Sequence, residues 1–124
     1  MTVVANTEFV VTDAVIAGVA ARAAAAVPGV LRLEPGVLGL VGHLARSGRQ
    51  LWSGQESAPS AGVRVRRAGG WLSIQIDLSM TAGGRVGEVG TAVQQEVARA
   101  VAEQTGVDVD AVSVTVLDIE PGTL

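Results

Sequence analysis

Few residues in this 124-residue chain have the chemistry that catalysis or metal binding needs. The chain contains no cysteine and a single histidine, His43. Without cysteine there is no disulfide, no thiol nucleophile and no cysteine-based zinc or iron–sulfur site. One histidine cannot form a histidine pair around a metal, and the G-x-S-x-G turn of serine hydrolases is absent from the sequence. We therefore expect no catalytic residue, no metal site and no cofactor, and we predict that the protein is not an enzyme.

Four carboxylates near the C-terminus are candidates for a cation site or a glycosidase site. Asp108 and Asp110 would point to the same side of an extended chain, and Asp118 and Glu120 follow them. Their spacing does not match a calcium-binding loop. A pair of catalytic carboxylates for glycosides would need aromatic residues to stack the sugar, and the chain has one Phe and two Trp. We interpret these carboxylates as solvated turn residues.

A glycine-rich segment, residues 83–87, precedes the longest predicted helix. Free amides at a helix N-terminus together with a guanidinium can hold a phosphate, so Gly83, Gly84 and Arg85 form a candidate anion-binding site. The segment is neither a P-loop nor a dinucleotide fingerprint, because the residues and the spacing differ. Gly84 to Gly87 fits the G-x-x-G of KH RNA-binding domains, where that turn joins two helices. Here it follows a predicted strand, and a turn that needs small residues is the alternative interpretation.

The net charge of −3 conceals an uneven distribution along the chain. Residues 30–71 contain six arginines and two acidic residues, whereas residues 72–124 contain two arginines and eight acidic residues. Opposite charges on one small domain favour head-to-tail contact between copies or a basic patch for an anionic partner. An uneven but fully solvated surface is the alternative. A pI near 5.0 argues against nucleic acid as the partner.

Two segments have the periodicity of amphipathic helices. The first covers residues 14–27 and is preceded by Thr12 or Asp13, either of which can cap its N-terminus. The second covers residues 88–105, and Gly106 suits the left-handed position that ends a helix. The apolar positions predicted to be buried are Val15, Ile16, Val19, Ala20, Ala23 and Val27 in the first helix, and Val89, Ala92, Val93, Val97, Ala100 and Val101 in the second.

Alternation of apolar and polar residues predicts the strands. Residues 63–66 and 72–80 form a hairpin around the three-residue turn Ala68-Gly69-Gly70, and residues 107–119 form a final strand. Residues 8–11 and 30–33 are shorter candidates. The predicted fold class is α+β, a two-layer sandwich with two helices on one face of a three- to five-stranded mixed sheet. If the strands before and after the second helix are parallel, the crossover should be right-handed.

Two surfaces are candidates for partner binding. Residues 35–62 are predicted to be a flexible or docking insertion in a single domain that spans residues 1–124. Its amphipathic, basic character is typical of an arm that docks on an anionic membrane or a partner, and a loop resting on the domain's own core is the alternative. The residues assigned to docking are Val37, Leu40, Val41, Leu44, Arg46, Arg49 and Trp52. The polar side of the hairpin supplies the second candidate, through Arg64, Arg66 and Trp71.

No segment has the features of a secretory signal or a membrane span. The most apolar run, residues 14–27, is 14 residues long and contains Arg22, whereas a spanning helix needs about 20 apolar residues. We therefore expect no transmembrane segment.

Three stretches together resemble the alkaline-shock, or envelope stress response, protein family of bacteria. The first is TDAVIAGVAARAAAAVPGV at residues 12–30, and the second is GVRV at residues 62–65 with the hairpin that follows. The third, residues 86–119, contains GEVGTAVQQEV, EQTGVDV and AVSVTVLDI in the family's order of long helix, T-G turn and final strand. Ala82-Gly83 stands where the family commonly has Tyr-Gly, so no role of that tyrosine is transferred.

The resemblance implies a non-enzymatic, cytoplasmic protein linked to cell-envelope or alkaline stress. It also implies a homo-oligomer that is held peripherally at the inner face of the membrane by a membrane-anchored partner. Our leading hypothesis is therefore a self-associating scaffold or interaction module. The alternative hypothesis is an RNA-binding module that uses Gly84 to Gly87 together with Arg64, Arg66 and Arg67.

Overall fold

The structure is a computed structural model, and it describes residues 10–35 and 62–121. The docking residues predicted between Val37 and Trp52 lie outside the described residues, so their role stays a prediction. The elements in chain order are α1 (Asp13–Ala25), β1 (Val30–Leu33), β2 (Val63–Ala68), β3 (Trp71–Thr81), α2 (Val86–Thr105) and β4 (Ala111–Glu120). The strand predicted at residues 8–11 is absent at Val10 and Val11, because the chain there leads directly into the cap of α1. The first two residues of that prediction lie outside the described part of the chain.

The sheet is organised around β3, which pairs with all three other strands. β4 runs parallel to β3 along one edge, and β1 and β2 run antiparallel to it. β1 and β2 share the other edge end to end, as the backbone of Asp77 shows. The Asp77 amide donates to the Gly62 carbonyl at 2.8 Å, and the Asp77 carbonyl accepts from the Glu34 amide at 2.9 Å. The predicted α+β fold with a mixed sheet is confirmed, with four strands in the described part of the chain.

The hairpin between β2 and β3 is tighter than predicted. Ala68 belongs to β2 and Trp71 to β3, and the two residues pair with each other. Only Gly69 and Gly70 remain in the turn, with φ angles of 56° and 83°. Two successive positive φ angles are typical of a type I′ turn, which matches the twist of the strands. The turn fixes the register, so that the core-facing residues of the hairpin alternate with residues on the opposite face, where Ala68 and Trp71 lie. Those facing the core are Val63, Val65, Leu72, Ile74, Ile76, Leu78 and Met80.

Both helices lie on one face of the sheet, and α1 packs against α2 as well as against β1 and β2. This double packing makes the buried face of α1 wider than predicted, since Ala17 and Ala24 are also buried. Val15 is 49% exposed, so the prediction that it is buried was wrong. The small alanines let α1 approach two neighbours, which turns Val15 outward. The core consists of Ile16, Ala17, Val19, Ala20, Ala23, Ala24, Val27, Val63, Val65, Leu72, Ile74, Ile76, Leu78, Met80, Val89, Val93, Val97, Ala100 and Val101.

The helix ends follow local chemistry. Thr12 is the N-cap of α1, and its hydroxyl accepts from the Val15 amide at 3.3 Å. α1 ends two residues before the predicted end at residue 27, because Pro28 has no amide to donate and disfavours helical backbone in the residue before it. α2 ends as predicted at Gly106, whose φ is 77° and whose amide donates to the Ala102 carbonyl at 2.9 Å.

The last strand starts four residues later than predicted. Asp110 closes this end of the sheet: its carboxylate accepts from the Leu72 amide at 2.7 Å, and its amide donates to the Leu72 carbonyl at 2.9 Å. Farther along β4 the register shifts after the pair Leu78 and Val116, so that Asp118 lies beside Ser79. Leu117 is the extra residue of this bulge.

Candidate interaction surface on the open sheet face

The face of the sheet opposite the helices, here called the outer sheet face, carries polar side chains from all four strands. Directly opposed residues of an antiparallel pair share a face. The register therefore puts Arg64, Arg66 and Trp71 on the outer sheet face, opposite Gln75, Ser73 and Ala68 respectively. The structure brings the three residues predicted for association onto one surface.

Arg64, Arg66 and Trp71 differ in whether their side chains have partners within the protein. The Arg64 guanidinium pairs with the Asp77 carboxylate, Nη1 to Oδ2, at 3.0 Å, and Asp77 is only 2% exposed. The Gln75 amide donates to the other Asp77 oxygen at 3.0 Å and to the Thr115 hydroxyl at 2.9 Å. This network ties β2, β3 and β4 together. Arg64 therefore has a structural role that the sequence pattern did not show.

Arg66 and Trp71 are the exposed members of the surface. Trp71 is 55% exposed, and Arg66 is exposed and has no ion-pair partner in the described part of the chain. Aromatic residues and arginine are enriched at protein interfaces, where they supply most of the binding energy. Their position beside the glycine turn leaves both side chains accessible to another protein.

A second polar cluster at the other end of the outer sheet face joins β1, β3 and β4. Arg32 pairs with Glu120 and lies 3.4 Å from Glu34, and the fully buried Ser79 donates to Glu34. The Ser79 hydroxyl and the Arg32 guanidinium hold the pKa of Glu34 below its ordinary value. For Arg32, partial burial disfavours the charged guanidinium, but the Glu120 and Glu34 carboxylates outweigh this, so that the pKa of Arg32 is raised. Sequence reasoning missed this cluster, because its members are up to 88 positions apart in sequence.

The glycine-rich segment follows β3 and leads into α2, as predicted. Arg85 is the N-cap residue, but its side chain makes no capping bond. The guanidinium is well exposed and lies 3.4 Å from Glu88. The residues around it, including Gly87 and Thr91, line a broad open groove on α2. The proposed anion-binding role of Gly83, Gly84 and Arg85 stays a prediction, and the adjacent carboxylate already supplies Arg85 with an anionic partner.

The residues of the RNA-binding alternative do not form one surface. Arg67 pairs with Asp13 of α1 at 2.6 Å, on the helix side of the sheet. Arg64 is neutralised by Asp77, and β2 lies beside the first half of β3, whereas Gly84 to Gly87 follows its end. The turn joins a strand to a helix, unlike the helix-to-helix turn of KH domains.

Residues 10–35 and 62–121 contain neither a group of metal ligands nor a helix suited to a membrane. Within these ranges no three His, Cys, Asp or Glu side chains are grouped so that they could hold a metal ion. In the same part of the chain, neither helix is long and apolar enough to span a membrane.

The fold is thus a two-layer α+β sandwich with a polar sheet face left open by the helices. Residues 2–121 match the model of the alkaline shock protein 23 family, which is described as having a cell envelope-related function. The chain belongs to this family, and the resemblance found in the sequence is confirmed. No curated protein matches the chain.

Several solved structures match this chain with TM-scores below 0.5. Two histidine-to-alanine variants of the MamM CTD are each 14% identical to this chain, with a TM-score of 0.46, and the match covers 83% of this chain and 92% of theirs. A third MamM CTD variant is 12% identical, with a TM-score of 0.44 over 88% of this chain and 94% of that one.

Proposed function

We propose that this protein is a non-enzymatic interaction module of the bacterial cell envelope. In this proposal it self-associates through the exposed part of the outer sheet face, and a membrane-anchored partner holds it at the cytoplasmic side of the membrane. The proposal starts from the cell envelope-related function of its family. The observation that carries the self-association is the exposure of Trp71 and Arg66 at diagonally neighbouring positions of the hairpin, on a face that neither helix of the described residues covers.

The polar network beneath this surface supports the assignment. Asp77 is buried and held by Arg64 and Gln75, so the strands that carry Trp71 and Arg66 are fixed relative to each other. A fixed surface loses little conformational entropy when it binds a partner. Trp71 would supply apolar contact area, and Arg66 would supply a charge that can pair with an acidic residue of a second copy.

Docking to the envelope partner is assigned to the insertion at residues 35–62. Its two ends lie together in the structure, because the Glu34 amide and the Gly62 carbonyl both bond to the backbone of Asp77. The insertion therefore leaves and rejoins the sheet at one place. A loop attached in this way can bind a partner without contributing to the packing of the helices on the sheet.

Size-exclusion chromatography with light scattering tests the self-association over a range of protein concentrations. The unmodified protein should have a mass above that of one copy, and Trp71→Ala should shift it toward the monomer. Val86→Ala is the matched control, because it also removes an exposed apolar side chain but lies on α2. A mass that is monomeric at all concentrations, or unchanged in Trp71→Ala, would refute this part of the proposal.

An affinity pull-down from the native organism tests the docking. The bait is the full chain, compared with a variant in which residues 36–61 are replaced by a short glycine linker. Loss of an envelope protein from the variant's partners is the expected result. Equal recovery of the same partners by both baits would exclude the insertion as the docking segment.

A further inference from the structure

The edge of β4 that faces away from β3 is not paired with any strand in the described part of the chain. Asp77 directs its amide and carbonyl toward β1 and β2, so the alternating residues Ile74, Ile76 and Leu78 direct theirs toward β4. In the parallel register Ile74 lies opposite Val112 and bonds to the residues on either side of it. The backbone groups of Val112, Val114 and Val116 therefore point outward from the sheet.

Only one of these outward groups has a partner in the described residues. The Gln94 side-chain amide of α2 donates to the Val112 carbonyl at 3.1 Å. Among the described residues, nothing bonds to the amides and carbonyls of Val114 and Val116, which are therefore available to another strand. This arrangement leaves two consecutive pairs of donors and acceptors along the middle of β4.

β4 lacks most of the features that usually prevent an edge strand from pairing. Natural edge strands are often short, or contain lysine, proline or a bulge. β4 is 10 residues long and has no proline, lysine or arginine. Its bulge at Leu117 comes after the outward valines. Leu117 and Ile119 are 41% and 48% exposed and add apolar contact area at this end.

The charges around β4 select its partner. Asp108 and Asp110 precede the strand, and Asp118 lies near its end, next to Glu120, which is paired with Arg32. The Asp110 carboxylate also accepts from the Leu72 amide. If a second copy paired antiparallel with Val114 opposite Val114, Asp110 would come close to Asp118 at both ends of the ladder. Like charges at opposed positions are destabilising. The edge therefore disfavours a second copy and favours a strand with basic residues on both sides of an apolar centre.

We propose that the free edge of β4 binds an extended, basic segment of another protein, which adds to the sheet through backbone hydrogen bonds to Val114 and Val116. In this binding mode the main chain provides the affinity and the flanking charges provide the selectivity. The site does not include Trp71 or Arg66, so it does not depend on the self-association proposed above.

The test uses a synthetic peptide with blocked ends, in which alternating Val and Thr residues are flanked by lysines. Fluorescence anisotropy of the labelled peptide should show saturable binding to the full chain. Amide hydrogen exchange measured by NMR should slow at Val114 and Val116 when the peptide is added. A peptide with glutamates in place of the lysines should bind much more weakly.

Paired variants separate edge pairing from general electrostatic attraction. Val114→Pro removes an outward amide without removing a hydrogen bond to β3. The variant should therefore fold but no longer bind the peptide. Asp118→Lys should weaken binding several-fold, whereas Glu103→Lys, the same charge change on the exposed side of α2, should leave it unchanged. A peptide methylated at alternate backbone nitrogens gives the corresponding test from the partner's side, whether or not Val114→Pro folds.

Three outcomes would overturn the proposal. The first is equal binding of the lysine and glutamate peptides, and the second is binding of the methylated peptide with undiminished affinity. The third is protection of the Val114 and Val116 amides that rises with the concentration of the protein alone, which would assign the edge to a second copy.

Discussion

Arg64 and Asp77 form an ion pair between β2 and β3 in which the acidic partner is almost completely buried. The guanidinium Nη1 and the carboxylate Oδ2 are 3.0 Å apart, and the Arg64 side chain is 32% exposed. Asp77 also marks the position where β1 ends and β2 begins. The pair therefore ties a buried carboxylate of β3 to β2 at the junction of three strands.

Arg64→Ala should lower the free energy of unfolding by about 1–3 kcal/mol, because it removes a hydrogen-bonding partner from a buried, charged group. Arg66→Ala is the matched control on the same strand and face, and it should change stability by less than about 0.5 kcal/mol. Urea unfolding followed by circular dichroism measures both. Equal effects of the two substitutions would show that the Arg64–Asp77 pair does not stabilise the fold.

Substitution by alanine should change the stability in opposite directions at two glycines, Gly90 inside α2 and Gly106 at its end. Gly106 has a φ of 77°, and an added Cβ would meet no atom within 4 Å, so Gly106→Ala carries a purely conformational cost of about 1 kcal/mol. Gly90 lies inside α2, also with no atom within 4 Å of an added Cβ. Gly90→Ala should therefore stabilise the protein by about 0.5–1 kcal/mol. Thermal unfolding of the two variants checks the signs, and a loss of stability in Gly90→Ala would contradict this account.

Glu34 should make the stability of the protein sensitive to acid. Its pKa is lowered in the folded state by the Ser79 hydroxyl and by Arg32, so the folded state favours the ionised carboxylate. The resulting stabilisation is present above the ordinary pKa of glutamate and is lost as the pH falls through the lowered value. Between about pH 5 and pH 3, Glu34→Gln should therefore lose less stability than the unmodified protein. Urea unfolding at a series of pH values tests this, and parallel curves for the two proteins would refute it.

Replacement of residues 36–61 by a short glycine linker should leave the fold intact. Glu34 and Gly62 are both bonded to the Asp77 backbone, so a short linker can join them without moving β1 or β2. Shortening a loop lowers the entropic cost of closing it, by about 0.6 kcal/mol for each halving of its length. The melting temperature should be unchanged or higher, and the circular dichroism spectrum should keep its helix and strand signals. A variant that is unfolded at room temperature would show that the insertion is part of the core.

Gly29 gives a test of the contact between the start of β1 and α2. Its φ is 99°, and an added Cβ would lie 2.8 Å from the Val89 Cγ2 atom. Gly29→Ala should therefore destabilise the protein, and the double variant Gly29→Ala with Val89→Ala should recover the part of that loss which is steric. A double-mutant cycle on unfolding free energies measures this coupling. Strictly additive effects would mean that the cost is only conformational.

The sequence by itself determined the elements whose signals are local. The three- and four-residue spacing of valines and alanines located both helices, and Gly106 located the end of α2. The alternating valines and isoleucines located the hairpin and β4. These patterns are readable because each depends only on the backbone geometry of its own segment. The order of the pieces also identified the protein family, which the match over residues 2–121 confirms.

The tertiary structure alone decided which distant residues meet. The pairing of β1 with β3 brings Glu34 to Ser79, and the placement of β1 and β4 on either side of β3 brings Arg32 to Glu120. The pairing of β2 with β3 places Arg64 against the buried Asp77. No local pattern could show this, since strand pairing depends on how the whole chain packs. For the same reason the packing of α1 against both α2 and the sheet turned Val15 outward and buried Ala17. The outward backbone groups of Val114 and Val116 likewise follow from the parallel pairing of β4, which the alternation of its side chains does not specify.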